Sequence, residues 1–576
     1  MRRITSFGMS AALYASLWTA TTSMSWGQDL KEAGVLNTKV MELYNAGQYA
    51  EAIPLAQRAL SIREKAVGPD HPDLAGSLEN LATLYSTQQR YADAEPLYKR
   101  SLAIRESMVG PEDSTLTPSL NDLAFIYYKQ ARYPEVEALH KRVLSITEKA
   151  SGQDHPDFVA ALNNLALLYK KQNRYFEAAT LYERALTIRE KALGPDHTDV
   201  VESLHNLAYL YEDWGRYADA VPLLERSVTI LGKTLGHEHP EVATSLNNLA
   251  ALYGAQGRYT DAEPLYKRSL AIRENMFGTE SADVATSLNN LAQLYRFQGR
   301  YADSEPLYLR SLAIVEKALG PEHSDVATAL NNLAELHRFQ GRYADAELLY
   351  TRSLAILEKT LGPNHPDVAN LLNNLAGLYQ DQGRYADAEP LYSRSLAIGE
   401  KAFGPEHPYI ATSLNNLAVL YRAEDRPTDA ESLYNRSLAI LQKTLGSDHP
   451  DVANSLNNLA ALYQNQGRYA DAESLYKRSL AIMEKTLGPS HPDVANSLNN
   501  LAALYQQQGR YADAEPLYKQ SVAILERTLG PDHPEIAANL NNLGALYQAQ
   551  GRHADAEPLY ARSLMIQKKA AQSSQK

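Results

Sequence analysis

Val242-Ala243-Thr244-Ser245-Leu246-Asn247-Asn248-Leu249-Ala250-Ala251-Leu252-Tyr253 sets Leu246, Leu249, Ala250 and Tyr253 at i, i+3, i+4 and i+7, one apolar stripe of an α-helix. The stretch returns every 42 residues without insertion or deletion, from Asn80-Leu81-Ala82 to Asn542-Leu543-Gly544. A fixed period of a few tens of residues means that one helical unit is stacked on copies of itself, each burying its apolar face against its neighbours rather than around one central core. The expected fold is all-α, an α-solenoid of about thirteen helix-turn-helix units.

The rest of the repeat supports a helix pair. Gln256-Gly257-Arg258-Tyr259 stops the first helix, because Gly257 can take the left-handed conformation that ends many helices. Asn173 and Asp425 stand at the same place and tolerate it, whereas Gln89 and Ala131 would be strained there. A second helix is expected from about Asp261 to Phe277, with Ala262, Leu265, Tyr266 and Leu270 inward and Pro264 in its first turn. The linker Leu487-Gly488-Pro489-Ser490-His491-Pro492-Asp493 closes one pair and opens the next, with Pro492 at a helix start.

No linker or shift in composition divides the chain after about residue 30, so the 576 residues read as one array. The expected organisation is a signal peptide over 1–27, an atypical capping repeat over 28–72, tandem repeats over 73–568 and a tail over 569–576. Arg2 and Arg3, an apolar run from Phe7 to Ala20 and the triplet Ser25-Trp26-Gly27 carry the signal-peptide expectation. That run is short of the ~20 apolar residues that span a bilayer, so no membrane span is expected in the mature chain. Export from a bacterium, to the periplasm or beyond, is the expected location, with the cytoplasm as the alternative.

Composition removes whole classes of function. The 68 acidic residues outnumber the 56 basic ones and are interspersed with them, so no basic stripe offers itself to nucleic acid. Cysteine is absent, and with it disulfides, thiolate catalysis and cysteine-based zinc sites. No phosphate-binding glycine loop, HExxH motif or catalytic constellation stands apart from the repeat. No cofactor, metal site or catalytic residue is therefore expected. The recurrent linker histidines His71, His155, His239, His365 and His491 read as packing, and His337 as a core histidine.

Leu-Asn-Asn-Leu-Ala-x-Leu-Tyr followed by Gly-Arg-Tyr-x-x-Ala-Glu-x-Leu-Tyr resembles the tetratricopeptide repeat, with Ala250, Tyr253, Ala262 and Tyr266 in its signature places. The 42-residue spacing and the Gly-Pro-x-His-Pro linker are similar to the repeats of kinesin light chains. No heptad coiled coil lies between Gln28 and Leu36, so a motor-adaptor role is not implied. The resemblance implies a right-handed superhelix whose first helices line a concave groove for extended peptides, and hence a non-catalytic interaction scaffold with protein or peptide partners.

The resemblance turns one face of the repeat toward that groove, where a recurrent asparagine stands. Asn164, Asn206, Asn248, Asn290, Asn332, Asn374, Asn416, Asn458 and Asn500 form the row, with Asn80 before it and Asn542 after it, and with Asp122 as the interruption. A carboxamide donates to a peptide carbonyl and accepts from a peptide N–H, so such a row can grip an extended backbone. The competing reading is that the Asn-Asn pairs only pin repeat to repeat. Positions that differ between copies point to specificity: Lys170-Lys171, Glu212-Asp213, Arg296-Phe297, Arg338-Phe339, then uncharged Gln464-Asn465 and Gln506-Gln507. Arg beside an aromatic is common at interface hot spots, which marks Arg296, Phe297, Arg338 and Phe339 as the expected anchor for an acidic or aromatic ligand. Alternatives are a self-assembling array, through the end near Met565-Ile566-Gln567, and a recognition subunit for a separately encoded enzyme.

Overall fold

The computed structural model describes residues 26–573. Among them are twenty-six α-helices in thirteen consecutive antiparallel pairs, from Trp26–Asn45 with Tyr49–Val67 to Pro534–Ala549 with His553–Ser573, and a single 3-10 turn at Ser114–Leu116. No strand occurs among the described residues. The expected signal segment 1–27 lies outside the described residues except for Trp26 and Gly27, which open the first helix. At the other end the last helix continues past Lys568 to Ser573, through most of the expected tail. No described helix is long and apolar enough to cross a membrane.

Local chemistry sets the ends of each helix. In the pair Pro240–Ala255 and Tyr259–Phe277, Pro240 opens the first helix and the His239 Nδ1 accepts the Glu241 N–H at 3.3 Å. The helix ends as Gly257 turns to φ 69° and the Arg258 N–H reaches back to the Tyr253 carbonyl at 2.8 Å. Gln89, Ala131, Asn173 and Asp425 adopt the same left-handed turn at φ 57–60°. The second helix starts earlier than its sequence suggests, at Tyr259, because the Arg258 carbonyl already accepts from Asp261 and Ala262. Pro264 is thus inside the helix, beyond the first turn where it was expected. Its ring has no N–H to give to the carbonyl four residues back, and both Thr260 and Pro264 are exposed to water there.

Packing follows the expected stripe. Leu246, Leu249, Ala250, Tyr253, Ala262 and Tyr266 are buried. A buried serine of the second helix bonds to the first: Ser269 Oγ donates to the Ala243 carbonyl at 2.7 Å, as Ser353 does to Ala327 and Ser479 to Ala453. In the opening pair Ala33, Val40 and Leu43 carry the core, so the apolar spacing survives where the Asn-Asn-Leu-Ala signature is lost.

The contacts divide the chain into two compact parts, Met1–Ser203 and Leu204–Lys576. In the first, Glu79 is buried and receives Arg105 at 2.7 Å together with the Ser101 and Ser119 hydroxyls at 2.9 and 2.7 Å. Burial and the Glu79 charge push the Asp122 carboxyl up to about 7. In the second part the stack comes back on itself. A Cβ added at Gly215, Gly257 or Gly299 would lie 2.9, 2.5 or 2.8 Å from the ring of Pro450, Pro492 or Pro534. The His491 Nε2 faces the Ala255 carbonyl at 3.1 Å, and the His449 Nε2 faces the Asp213 carbonyl at 3.4 Å. The end of one first helix therefore meets the start of another first helix 236 residues later, three times over.

Candidate functional site

The asparagine row is tied laterally. Six members donate their Nδ2 to the Oδ1 of the first asparagine of the preceding repeat, among them Asn290 to Asn247 at 2.9 Å, and Asn332 to Asn289 and Asn374 to Asn331 at 2.8 Å. Asn458, Asn500 and Asn542 do the same to Asn415, Asn457 and Asn499 at 3.0–3.2 Å. Asn248 donates instead to the Tyr209 hydroxyl at 2.6 Å. Asn164, Asn206 and Asn416 make no such bond; at the last, Asn373 is drawn to the Tyr409 hydroxyl at 3.2 Å. One N–H of each tied amide is thus committed to the joint. The row is half-buried, and the Asn290 and Asn374 Oδ1 atoms take part in none of these lateral bonds.

A second joint was not read from the sequence. In most repeats the arginine after the first-helix turn lies over a tyrosine of its own repeat and reaches a glutamate of the preceding one. Arg300 stacks on Tyr295 at 4.0 Å and its Nη1 meets Glu263 at 2.9 Å, while the Tyr295 hydroxyl donates to the same carboxylate at 3.1 Å. Arg384, Tyr379 and Glu347 repeat this, as do Arg510, Tyr505 and Glu473. The signal was present as fixed offsets of 37 residues from Glu to Arg and 32 from Glu to Tyr. His337 replaces the tyrosine once: it is buried, its Nε2 lies 3.3 Å from Glu305, and its Nδ1 has no partner.

The four expected anchor residues differ in freedom. The Arg296 guanidinium lies between the Phe297 and Phe339 rings, 4.6 and 4.9 Å from their centroids. It forms no ion pair among the described residues, and its Nε is buried without a hydrogen-bond partner. Phe297 and Phe339 remain 44% and 55% exposed, and Phe297 also stacks on Tyr259 at 6.3 Å. Arg338 is committed: it pairs with Asp381 at 2.6 Å and with Glu335 at 3.5 Å. Gly377 gives it room, since a Cβ there would lie 2.9 Å from its guanidinium. The structure thus joins Arg296, Phe297 and Phe339 into one open cation–aromatic cluster and leaves Arg338 in a separate salt bridge.

No curated protein matches the chain. Among solved structures it is similar to a putative kinesin light chain of Podosopora anserina with nearly identical TPR-like repeats, at 35% identity over 36% of this chain and 97% of that one, with a TM-score of 0.31. It is also similar to BtubC (BKLC) of P. vanneervenii, at 25% identity over 40% of this chain and 92% of that one, with a TM-score of 0.34. The family model described as tetratricopeptide repeat matches residues 35–107, 157–233, 215–275, 283–359, 367–443, 410–485, 451–527 and 493–569, and a second model of the same description matches 119–157. Proteins of this kind are generally scaffolds for protein interaction. With helix pairs, signature residues and family matches in agreement along its length, the chain belongs to the tetratricopeptide repeat family.

Proposed function

We propose that this protein is a non-catalytic scaffold that holds extended segments of other polypeptides, anchored at the Arg296, Phe297 and Phe339 cluster and guided by the asparagine row. The carrying observation is the Arg296 guanidinium, sandwiched between two half-exposed rings and without a carboxylate. Such a cation is partly desolvated and lacks a counter-charge, which favours an acidic side chain set beside an aromatic one. The asparagine row supports the reading through its amide oxygens, which can accept from a peptide backbone while the Nδ2 groups hold the repeats together. Selection of a displayed random peptide library on the full-length chain tests it. Enrichment of acidic or aromatic peptides whose binding weakens at least tenfold in Arg296→Gln and Phe339→Ala supports the anchor. Equal binding to these variants, or no enrichment, overturns it.

Self-association is a second reading, favoured by Leu564 and Met565, which are 51% and 68% exposed on the last helix. Concentration-dependent growth in light scattering, lost in Met565→Lys, distinguishes it from a stable monomeric scaffold. Export is part of the same proposal, and N-terminal sequencing of the protein from its source cells tests cleavage near Gly27.

A further inference from the structure

Arg258 and Arg527 each lack a carboxylate that most of their counterparts have, and the return of the stack brings the two to one cleft. In most repeats the turn arginine reaches a glutamate of the preceding repeat, as Arg300 does with Glu263, Arg384 with Glu347 and Arg510 with Glu473. Before Arg258 that glutamate is Val221, so the Arg258 Nε keeps only Asp261, at 2.7 Å, and its Nη1 reaches no carboxylate. Near the end of the second helix, Lys443, Lys485 and Lys569 pair with Glu406, Asp448 and Asp532 of the preceding linker. Arg527 finds Ser490 in that place, 2.5 Å from its Nη2, and forms no ion pair among the described residues.

Arg258 and Arg527 line the same cleft of about 370 Å³, together with Gln256, Thr260, Ser490 and Thr528. His491 closes one side; burial holds its imidazole below the ordinary range, so it is neutral, and its Nδ1 lies 3.6 Å from Asp493. The cleft therefore holds two guanidinium groups, each without a carboxylate that most of its counterparts have, and the Thr260 and Ser490 hydroxyls, while the Thr528 hydroxyl donates to the Ile524 carbonyl at 2.9 Å. Asp261 and Asp493 are the carboxylates beside it, the first held by Arg258 and the second set against His491. Two guanidinium groups and two hydroxyls lining one small space are groups that recognise the oxygens of a tetrahedral oxyanion.

We propose that this cleft binds a phosphate or sulfate group, either free or carried on a larger molecule, and that the bound anion ties the repeat of Arg258 to that of Arg527. The copies themselves supply the test. Val221→Glu and Ser490→Asp restore the carboxylates found in other repeats, so they neutralise the cleft without a foreign side chain. Calorimetric titration of the full chain with inorganic phosphate, inorganic sulfate and O-phosphoserine separates free ion from carried group. Saturable binding of any of the three, weakened at least tenfold in the Val221→Glu/Ser490→Asp variant and in Arg527→Gln at unchanged helicity, supports the site. No saturable binding by the parent chain, or equal binding by the double variant, overturns it.

Discussion

Asn332 and Asn289 meet through one hydrogen bond in which the first gives an N–H and the second an oxygen, so the two amides are not equivalent. Asn289→Ala removes the acceptor and leaves the Asn332 Nδ2 half-buried without its partner. It should cost about 1 kcal/mol in denaturant unfolding and leave peptide binding intact. Asn332→Ala should cost a similar amount and also weaken peptide binding, and binding unchanged in both would confine the row to the joints. The seam histidines make a second residue-scale prediction. The His533 Nδ1 accepts the Glu535 N–H at 3.2 Å, its Nε2 is buried beside the Phe297 backbone, and burial pulls its pKa from 6.5 down to about 4 against that contact. The unfolded chain takes up a proton that the folded chain refuses. This contribution is thus whole above pH 6.5 and lost as pH falls toward 4, an amount on the order of 2–3 kcal/mol. Glu535, shifted upward by burial and by Asp493, works in the opposite sense. His533→Asn keeps a cap but not the titration, so its melting temperature should fall less than the parent's between pH 7 and 5.

The helix turns show how one backbone conformation serves two purposes. Gly341 has φ 74° with nothing within 4 Å of an added Cβ, so Gly341→Ala should lose only the left-handed penalty of about 1–2 kcal/mol. At Gly257, with φ 69°, the same methyl would lie 2.5 Å from the Pro492 ring. Gly257→Ala should therefore be more damaging, by a further 1 kcal/mol or about that, in equilibrium unfolding. Equal losses at the two glycines would count against the contact between distant first helices. Gln89, Ala131, Asn173 and Asp425 already live with the conformational strain, which shows that the turn by itself tolerates other residues.

Stability in a repeat stack is close to a sum of terms for repeats and their immediate neighbours, and the seam within Leu204–Lys576 adds contacts outside that sum. Truncation after Leu487 removes the Pro492 and Pro534 edges while leaving the joints around Gly257 intact. In the truncated chain the excess cost of Gly257→Ala over Gly341→Ala should vanish, a coupling that a double-mutant cycle reads directly. Persistence of the excess would place its origin inside the repeat.

The sequence by itself determined the helix pairs, their inward faces and the family, because a 3.6-residue stripe, a left-handed turn residue and, in many copies, an opening proline act within a few neighbours, and the helix pair they specify was repeated thirteen times. Its error at Pro264 was of the same local kind: the helix starts where the Arg258 carbonyl finds donors, a few residues before the proline makes it visible. The Asn-Asn pair was legible as a motif, but which amide gives and which takes depends on how adjacent repeats slide against each other. Tertiary structure alone decided that Gly257 meets Pro492, that Arg296 lies between Phe297 and Phe339, and that Arg258 shares a cleft with Arg527. The small rotation from each repeat to the next must accumulate over several copies before residues hundreds of positions apart can touch, and no single repeat encodes that sum.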